Sequence, residues 1–200
     1  MIERVATRLA SIASENGIIP SEDHDLYIYS YQIMIERTFS WACILLVALL
    51  FETLYPYTLI FMAFFLSLSM FVGGWHAPSF RLCFVVSVGI FLGFSLVEPF
   101  VTASFPMGVA VVLITCCAVV IGVLGPVAHP NKPMDAKSIK ICRKISIVII
   151  FIQTALAVVS FAAGNERILM FIMFSFMIAS ASLVGGHREA KKLQKSYEMG

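Results

Sequence analysis

His76 and Cys83 lie seven positions apart in the segment GGWHAPSFRLC, residues 73–83, between two strongly apolar stretches. Imidazole ordinarily titrates near pH 6.5 and can exchange a proton with a thiol at neutral pH. The thiolate is the reactive form of cysteine, and a nearby imidazolium favours it. These two residue types are therefore those of a cysteine nucleophile and its general base.

The spacing of the two residues requires a break in the helix between them. In an unbroken helix, seven residues rise about 10.5 Å, which is too far for a direct hydrogen bond. Pro78 favours the first turn of a helix and disfavours helical geometry in the residue before it. Gly73 and Gly74 permit backbone angles that other residues avoid. We therefore predict a GGWHA turn, then a helix starting near Pro78 that carries Cys83, with His76 folded back over its first turns.

Other residues could perform the same chemistry, or His76 and Cys83 could have no catalytic role. The remaining candidate bases are His24, His129 and His187, and Cys142 is another thiol, in a strongly basic segment. His76 could instead be an interfacial polar residue and Cys83 a packing residue. The other cysteines, Cys43, Cys116 and Cys117, lie in apolar runs and suit packing. Neither a disulfide framework, a metal site nor a cofactor is predicted from five cysteines in these positions.

The elements that must position these residues belong to a membrane protein. The chain is 60% hydrophobic and 13% charged, with a mean hydropathy of +0.92, whereas soluble domains are about a quarter charged. The apolar run 38–72 would make a helix of about 50 Å against a hydrocarbon core of about 30 Å. Each long run is therefore interpreted as a hairpin. About six transmembrane helices are predicted, at roughly 38–54, 57–72, 82–98, 106–124, 145–163 and 168–184.

The predicted fold is an all-α integral membrane protein with one membrane-embedded domain over residues 1–200. Residues 1–37 are predicted to form amphipathic, interfacial helices, because Ile2, Val5 and Leu9 share one helical face. Residues 38–184 form the transmembrane bundle and 185–200 a cytoplasmic tail.

The distribution of basic residues predicts the orientation. Thirteen of the 14 lysines and arginines fall on one side of this six-span arrangement, and only Arg167 falls on the other. Both termini and the 73–83 segment are therefore predicted to be cytoplasmic. The opposite turns carry Glu52, Glu98 and Glu166, and Glu98 is interpreted as a solvated boundary residue. No paired ionisable groups are expected inside the spans.

Two stretches resemble the accessory gene regulator B (AgrB) family. Gly74-Trp75-His76-Ala77-Pro78-Ser79, followed by Cys83, is similar to that family's signature, and Pro126 with Asn131-Lys132-Pro133 resembles its proline- and lysine-rich segment. The resemblance covers essentially the whole chain. It implies a cysteine endopeptidase of the bacterial cell membrane that cleaves a short AgrD-like propeptide on the cytoplasmic side.

The resemblance also implies roles for residues. Cys83 would form an acyl thioester with His76 as base, and the peptide would then cyclise to a thiolactone or lactone autoinducing peptide for quorum sensing. Relatives carry a basic run where this chain has Phe71-Val72-Gly73, so Arg81 is a candidate for that role. A homodimer without nucleic acid or cofactor is implied. The candidate supporting residues are Gly74, Pro78, Ser79, Arg81, Pro126, Lys132 and Pro133, with the Ser79 hydroxyl or the N–H groups of Ser79 and Phe80 as oxyanion donors.

Alternative functions remain open at this point. A non-proteolytic peptide transporter or export scaffold would also be apolar and multi-pass, as would a purely structural membrane protein. The basic segment around Lys132, Lys137, Lys140, Arg143 and Lys144 could bind an acidic tail of the propeptide. It could equally be the ordinary cytoplasmic charge bias with attraction to the anionic lipid bilayer.

Overall fold

Seven α-helices form the part of the chain that the structure, a computed structural model, describes: residues 2–50, 55–75, 79–127 and 135–198. No strand occurs in these ranges. A short 3-10 helix, Ser21–Asp23, links the first two α-helices. The helices are α1 Ile2–Glu15, α2 His24–Leu50, α3 Tyr55–Val72, α4 Phe80–Ser104, α5 Met107–Leu124, α6 Ala136–Ala162 and α7 Glu166–Glu198.

The predicted all-α membrane fold is confirmed. Five of the described helices, α2, α4, α5, α6 and α7, are long and apolar enough to cross a membrane. The shorter apolar segment Pro56–Val72 of α3 is the sixth apolar helix. Consecutive helices therefore alternate in direction, which places the end of α3, the start of α4 and the end of α7 at the same end of the bundle.

The N-terminal helix α1 forms as predicted and uses two faces. Its small side chains Ala6, Ala10 and Ala13 are buried, and its hydroxyl-bearing Ser11 lies 3.4 Å from the His24 ring at the start of α2. The larger apolar side chains of Val5, Leu9 and Ile12 are exposed, which suits contact with a lipid surface.

The helix α2 is continuous from His24 to Leu50 and so joins residues predicted to be interfacial to the first predicted span. No glycine or proline interrupts this stretch, so nothing in the backbone breaks the helix. The Phe39 ring lies 5.5 Å from the Phe84 ring, which sets this residue level with the start of α4. The first half of α2 consequently projects beyond the start of α4.

The predicted break at Glu98-Pro99 is also wrong. The helix α4 continues through Pro99 to Ser104, and the turn to α5 lies at Phe105-Pro106. A proline removes one backbone donor, but membrane helices tolerate this where neighbouring groups satisfy the freed carbonyl.

Glu98 is a buried ion-pair partner rather than a solvated boundary residue. Its side chain is 1% exposed, and the Arg167 guanidinium donates to both carboxylate oxygens, at 2.9 Å and 3.0 Å. Both residues lie within candidate spans, so the expectation of no paired ionisable groups in the spans is wrong as well. A carboxylate in an apolar helix is costly unless it is paired, and Arg167 supplies that partner from the start of α7.

The core lies along α7. Half of its 18-residue apolar window is buried, against at most 17% for the other candidate spans. Phe171, Phe176 and Leu183 are fully buried, and the Phe174 ring stacks on Phe94 of α4 at 3.7 Å. The helix then continues to Glu198 through the predicted tail. Because α7 packs against most of the bundle, it is the element on which the other helices are positioned.

Candidate active site

Cys83 lies in the first turn of α4. Ser79 is the N-cap of this helix, and its hydroxyl oxygen accepts a hydrogen bond from the Leu82 N–H at 3.4 Å. The Cys83 N–H donates to the Ser79 carbonyl oxygen at 3.1 Å. The Cys83 side chain is exposed. The predicted helix that starts near Pro78 and carries Cys83 is therefore present, and its N-terminal dipole favours negative charge near the first turn.

The segment that leads to His76 is fixed to α7. The Trp75 N–H donates to the Ser182 carbonyl oxygen at 2.8 Å and to the Ser182 hydroxyl at 3.2 Å. These bonds join residues 107 positions apart in the sequence. The backbone immediately before His76 therefore has a defined position on the central helix.

Two glycines allow this contact. A Cβ atom on Gly74 would collide with the Ser182 hydroxyl oxygen, and a Cβ atom on Gly186 would lie 2.5 Å from the Gly74 carbonyl carbon. Real Cβ atoms do not approach backbone this closely, so residue 186 must be glycine for the two backbones to pack, whereas a Cβ atom at residue 74 collides with the Ser182 side chain. Gly74, a predicted supporting residue, thus acts in packing the loop on α7.

The segment containing Pro126 joins the same region. The Val127 N–H donates to the Val72 carbonyl oxygen at 3.1 Å, and a Cβ atom on Gly73 would lie 2.9 Å from the Val127 carbonyl oxygen. The structure therefore places the residues just before Gly74 against the residue just after Pro126. We call residues 73–75, 125–127 and 182–186 the loop junction.

The remaining predicted site residues divide into two groups. Arg81 is described, and its side chain is exposed in the first turn of α4, two residues from Cys83. His76, Pro78, Lys132 and Pro133 lie outside the described residues. The contact between His76 and Cys83 consequently stays a prediction, as does any role of the Asn131-Lys132-Pro133 stretch.

The alternative bases and thiol occupy different places. His24 is near Ser11 of α1 and lies 3.7 Å from Asp25. His187 directly follows Gly186 on α7 and so lies beside the loop junction. Cys142 is partly buried on α6, whereas the Cys83 thiol is exposed. His129 lies outside the described residues.

Basic side chains cluster at the end of the bundle that carries the loop junction. The starts of α4 and α6 and the last turns of α7 supply Arg81, Lys137, Lys140, Arg143, Lys144, Arg188, Lys191 and Lys192. Asp135 caps α6 through its carboxylate and the Ser138 N–H, at 3.1 Å. Hydrogen bonds from the Ser138 side chain and backbone hold the pKa of Asp135 below its ordinary value. Arg167 lies at the opposite end, so the structure preserves the charge asymmetry that predicts orientation.

Sequence reasoning missed the part of α7 that receives the loop. Neither Ser182 nor Gly186 was among the predicted site residues. A signal was present, because Gly185-Gly186 at the end of an apolar run mirrors Gly73-Gly74 at the end of another. Paired glycines on two segments permit a close backbone approach.

Comparison with known proteins identifies the family. The family model described as accessory gene regulator B matches residues 4–183, which include the loop junction up to residue 183 and all of α4. No curated protein and no solved structure matches the chain. The chain belongs to the accessory gene regulator B family, which supports a general role in processing an AgrD-type propeptide for quorum sensing, as a multi-pass membrane protein.

Proposed function

We propose that this member of the accessory gene regulator B family is a membrane cysteine endopeptidase that cleaves its propeptide with Cys83 as nucleophile and His76 as base. The observation that carries the proposal is local. An exposed Cys83 thiol stands in the first turn of α4, and the chain enters the intervening loop from Trp75, which is anchored on Ser182. Trp75 and Ser79, the described residues that flank 76–78, are thus both held by helices.

The first chemical step is acylation. The Cys83 thiol gives its proton to His76, and the sulfur attacks the carbonyl carbon of the scissile peptide bond. The tetrahedral intermediate collapses when His76 returns the proton to the leaving amine and the C–N bond breaks. The C-terminal fragment leaves, and the N-terminal part of the propeptide stays on Cys83 as a thioester.

The second step closes the ring. A thiol or hydroxyl of the bound peptide attacks the thioester carbonyl, the Cys83 sulfur leaves, and the attacking group's proton returns to the dyad. A thiolactone or a lactone results. Exchange of one thioester for another is nearly even in free energy, so the site must hold the attacking group close and exclude water. A site at the end of an apolar helix bundle suits both requirements.

The oxyanion is assigned to the start of α4. The first N–H groups of a helix have no intrahelical acceptor, so the Phe80 N–H, three residues before Cys83, is the proposed donor. The Ser79 hydroxyl oxygen already accepts from Leu82, which gives it a capping function. The hydroxyl hydrogen of Ser79 remains able to donate to the oxyanion. Substitution of Ser79 by alanine or glycine separates this function from capping.

The setting of the enzyme is proposed with its chemistry. Both termini and the active site face the cytoplasm of a bacterial cell, because the basic ends of α4, α6 and α7 lie at one end of the bundle. A homodimer is proposed from family resemblance. The small-residue face of α7 supports no particular dimer surface, since Ser175 and Ala179 are buried within the protomer and Ser180 donates to the Cys117 sulfur at 3.4 Å.

A peptide transporter or export scaffold is the second candidate, and the Glu98–Arg167 pair is the observation that favours it. Ionisable pairs inside spans are common on transport pathways. Glu98 is, however, the only charged side chain that is buried in the described ranges, and a single pair at one end does not form a pathway across the bundle.

The experiment that tests the proposed function is capture of the acyl-enzyme. The purified protein in lipid nanodiscs is mixed with a synthetic AgrD-like propeptide, quenched in acid and digested for mass spectrometry. A hydroxylamine-sensitive peptide adduct on Cys83, absent from Cys83→Ala, is the expected result. Uncut propeptide with unmodified Cys83 would contradict the proposal and favour the transporter.

A further inference from the structure

The ion pair at the opposite end of the bundle has a directional geometry. Arg167 donates from Nε and Nη2 to the two carboxylate oxygens of Glu98, and the Thr102 hydroxyl donates to Oε1 at 3.0 Å. The guanidinium carbon also lies 4.9 Å from the centre of the Tyr57 ring. Because a two-pronged pair fits at one separation and one orientation, it fixes both the height and the rotation of α4 relative to α7.

Each residue of the ion pair is the same number of positions from the part of the candidate active site on its own helix. Cys83 precedes Glu98 by 15 residues on α4, and Ser182 follows Arg167 by 15 residues on α7. The two helices run in opposite directions, so each stretch descends about 22 Å toward the same end of the bundle. Equal lengths of helix therefore separate the ion pair from Cys83 on α4 and from Ser182 on α7.

Aromatic contacts also join the two helices. Phe94 precedes Glu98 by four residues, and its ring meets Phe171 edge to face at 5.1 Å and stacks on Phe174 at 3.7 Å. Phe171 and Phe174 follow Arg167 by four and seven residues, so these contacts do not define a single register. Aromatic contacts tolerate sliding, whereas the ion pair does not, and helices in lipid have little hydrophobic force to fix their register.

We propose that Glu98 and Arg167 are positioning residues that hold Cys83 level with the loop anchored on Ser182, and hence within reach of His76. This inference rests on the proposed function, because it concerns the geometry of the same dyad. Polar pairs within apolar helix interfaces are well suited to fixing register. Loss of the pair would let α4 slide or rotate on α7, which would displace the Cys83 thiol.

The first test is kinetic. Glu98→Gln and Arg167→Lys are compared with wild type in nanodiscs, with cleavage of a synthetic propeptide followed by mass spectrometry. We expect kcat to fall about 10- to 100-fold in Glu98→Gln, as misplacement of a reacting group by about 1 Å does, with KM within about twofold. Arg167→Lys keeps the charge but loses the two-pronged geometry, so its kcat should lie between that of wild type and that of Glu98→Gln. The exposed neighbour variant Glu166→Gln is the matched control and should behave as wild type.

The second test measures the geometry itself. Spin labels are placed on Cys83 and on Ala181→Cys, an exposed position beside Ser182, in a chain that lacks the other four cysteines. We expect one narrow distance distribution with the native pair and a shifted or broadened one with Glu98→Gln or Arg167→Lys. A pair that only stabilised the fold would lower the yield and melting temperature but leave the distribution unchanged in the folded fraction.

The outcomes separate this inference from the proposed function. A fall in kcat with an altered distance distribution supports positioning. An unchanged distribution, an unchanged kcat, or a rise in KM alone would overturn it, even if Cys83 is the nucleophile. If Cys83→Ala still cleaves, the proposed function fails instead, and the distance measurement still reports whether the pair sets the register. If Glu98→Gln does not fold, Arg167→Lys carries both measurements.

Discussion

The Trp75 N–H donates to both the carbonyl oxygen and the hydroxyl of Ser182, at 2.8 Å and 3.2 Å. This bond ties the residue before His76 to the last buried turn of α7. On the other side of the loop, Ser79 caps the helix that carries Cys83. Trp75 and Ser79, the described residues on either side of 76–78, are thus held by different helices.

The contact between Gly74 and Ser182 gives the first prediction. Gly74→Ala should lower the rate of propeptide cleavage about 100-fold, because the new Cβ would displace the loop that leads to His76 by about 1 Å or more. Ser182→Ala alone should have little effect, since the carbonyl oxygen still accepts from Trp75. The double variant should recover part of the loss, because the colliding hydroxyl is gone.

Single-turnover cleavage of a synthetic propeptide measures this cycle, and Gly89→Ala is the control. A Cβ atom at Gly89 on α4 meets nothing within 4 Å, so this variant should cleave at the wild-type rate. Wild-type cleavage by Gly74→Ala would show that the loop position is unimportant for the chemistry.

The Ser79 cap gives the second prediction. Ser79→Ala removes the acceptor for the Leu82 N–H and should destabilise the start of α4 by about 1 kcal/mol, whereas glycine at an N-cap costs only a few tenths of that. We therefore expect Ser79→Ala to reduce acylation several-fold and Ser79→Gly to remain near wild type. Rapid-quench mass spectrometry of the Cys83 adduct measures both rates. Equal, large losses in the two variants would instead show that the hydroxyl itself stabilises the oxyanion.

The exposed basic face at the start of α6 gives the third prediction. Lys137, Lys140, Arg143 and Lys144 replaced together by glutamine should leave kcat/KM within about threefold of wild type in nanodiscs of neutral lipid, because the cluster fits the ordinary cytoplasmic charge bias and attraction to anionic lipid. Replacement of Lys191 and Lys192 on α7 is the matched control. A rise in KM for the α6 variant alone would show instead that the cluster binds an acidic tail of the propeptide. High salt should then raise the KM of wild type in the same way, because it screens this attraction.

Much of the fold follows from the sequence. Apolar runs too long for one span predict hairpins, and the helix that begins after Pro78 is present with Ser79 as its cap. Local chemistry decides such features, since a proline or a capping residue acts within one turn. The continuity of α2 through residues 36–38 is different, because charged residues at a predicted boundary do not stop a helix that lacks glycine and proline.

The contacts that position the site could not be predicted, because they join distant parts of the chain. Glu98 and Arg167 are 69 residues apart. In the sequence alone, Glu98 directly before Pro99 is typical of a solvated turn, because nothing nearby in the chain shows that Arg167 pairs with it. Trp75 and Ser182 are 107 residues apart. These pairs form only because α4 and the loop junction pack on α7.

The proposed function requires that Cys83 and His76 perform the cleavage. The most direct measurement is co-expression of the chain with a tagged AgrD-like propeptide, followed by mass spectrometry of the products. Wild type, His76→Ala, Cys83→Ala, Cys142→Ala and His187→Ala are run in parallel, with the amount of each variant in the membrane measured.

We expect His76→Ala and Cys83→Ala to abolish cleavage, and the Cys142 and His187 variants to retain it. Continued cleavage by Cys83→Ala would contradict the proposed function, and so would equal loss in His187→Ala and His76→Ala, because either result would place the chemistry on other residues.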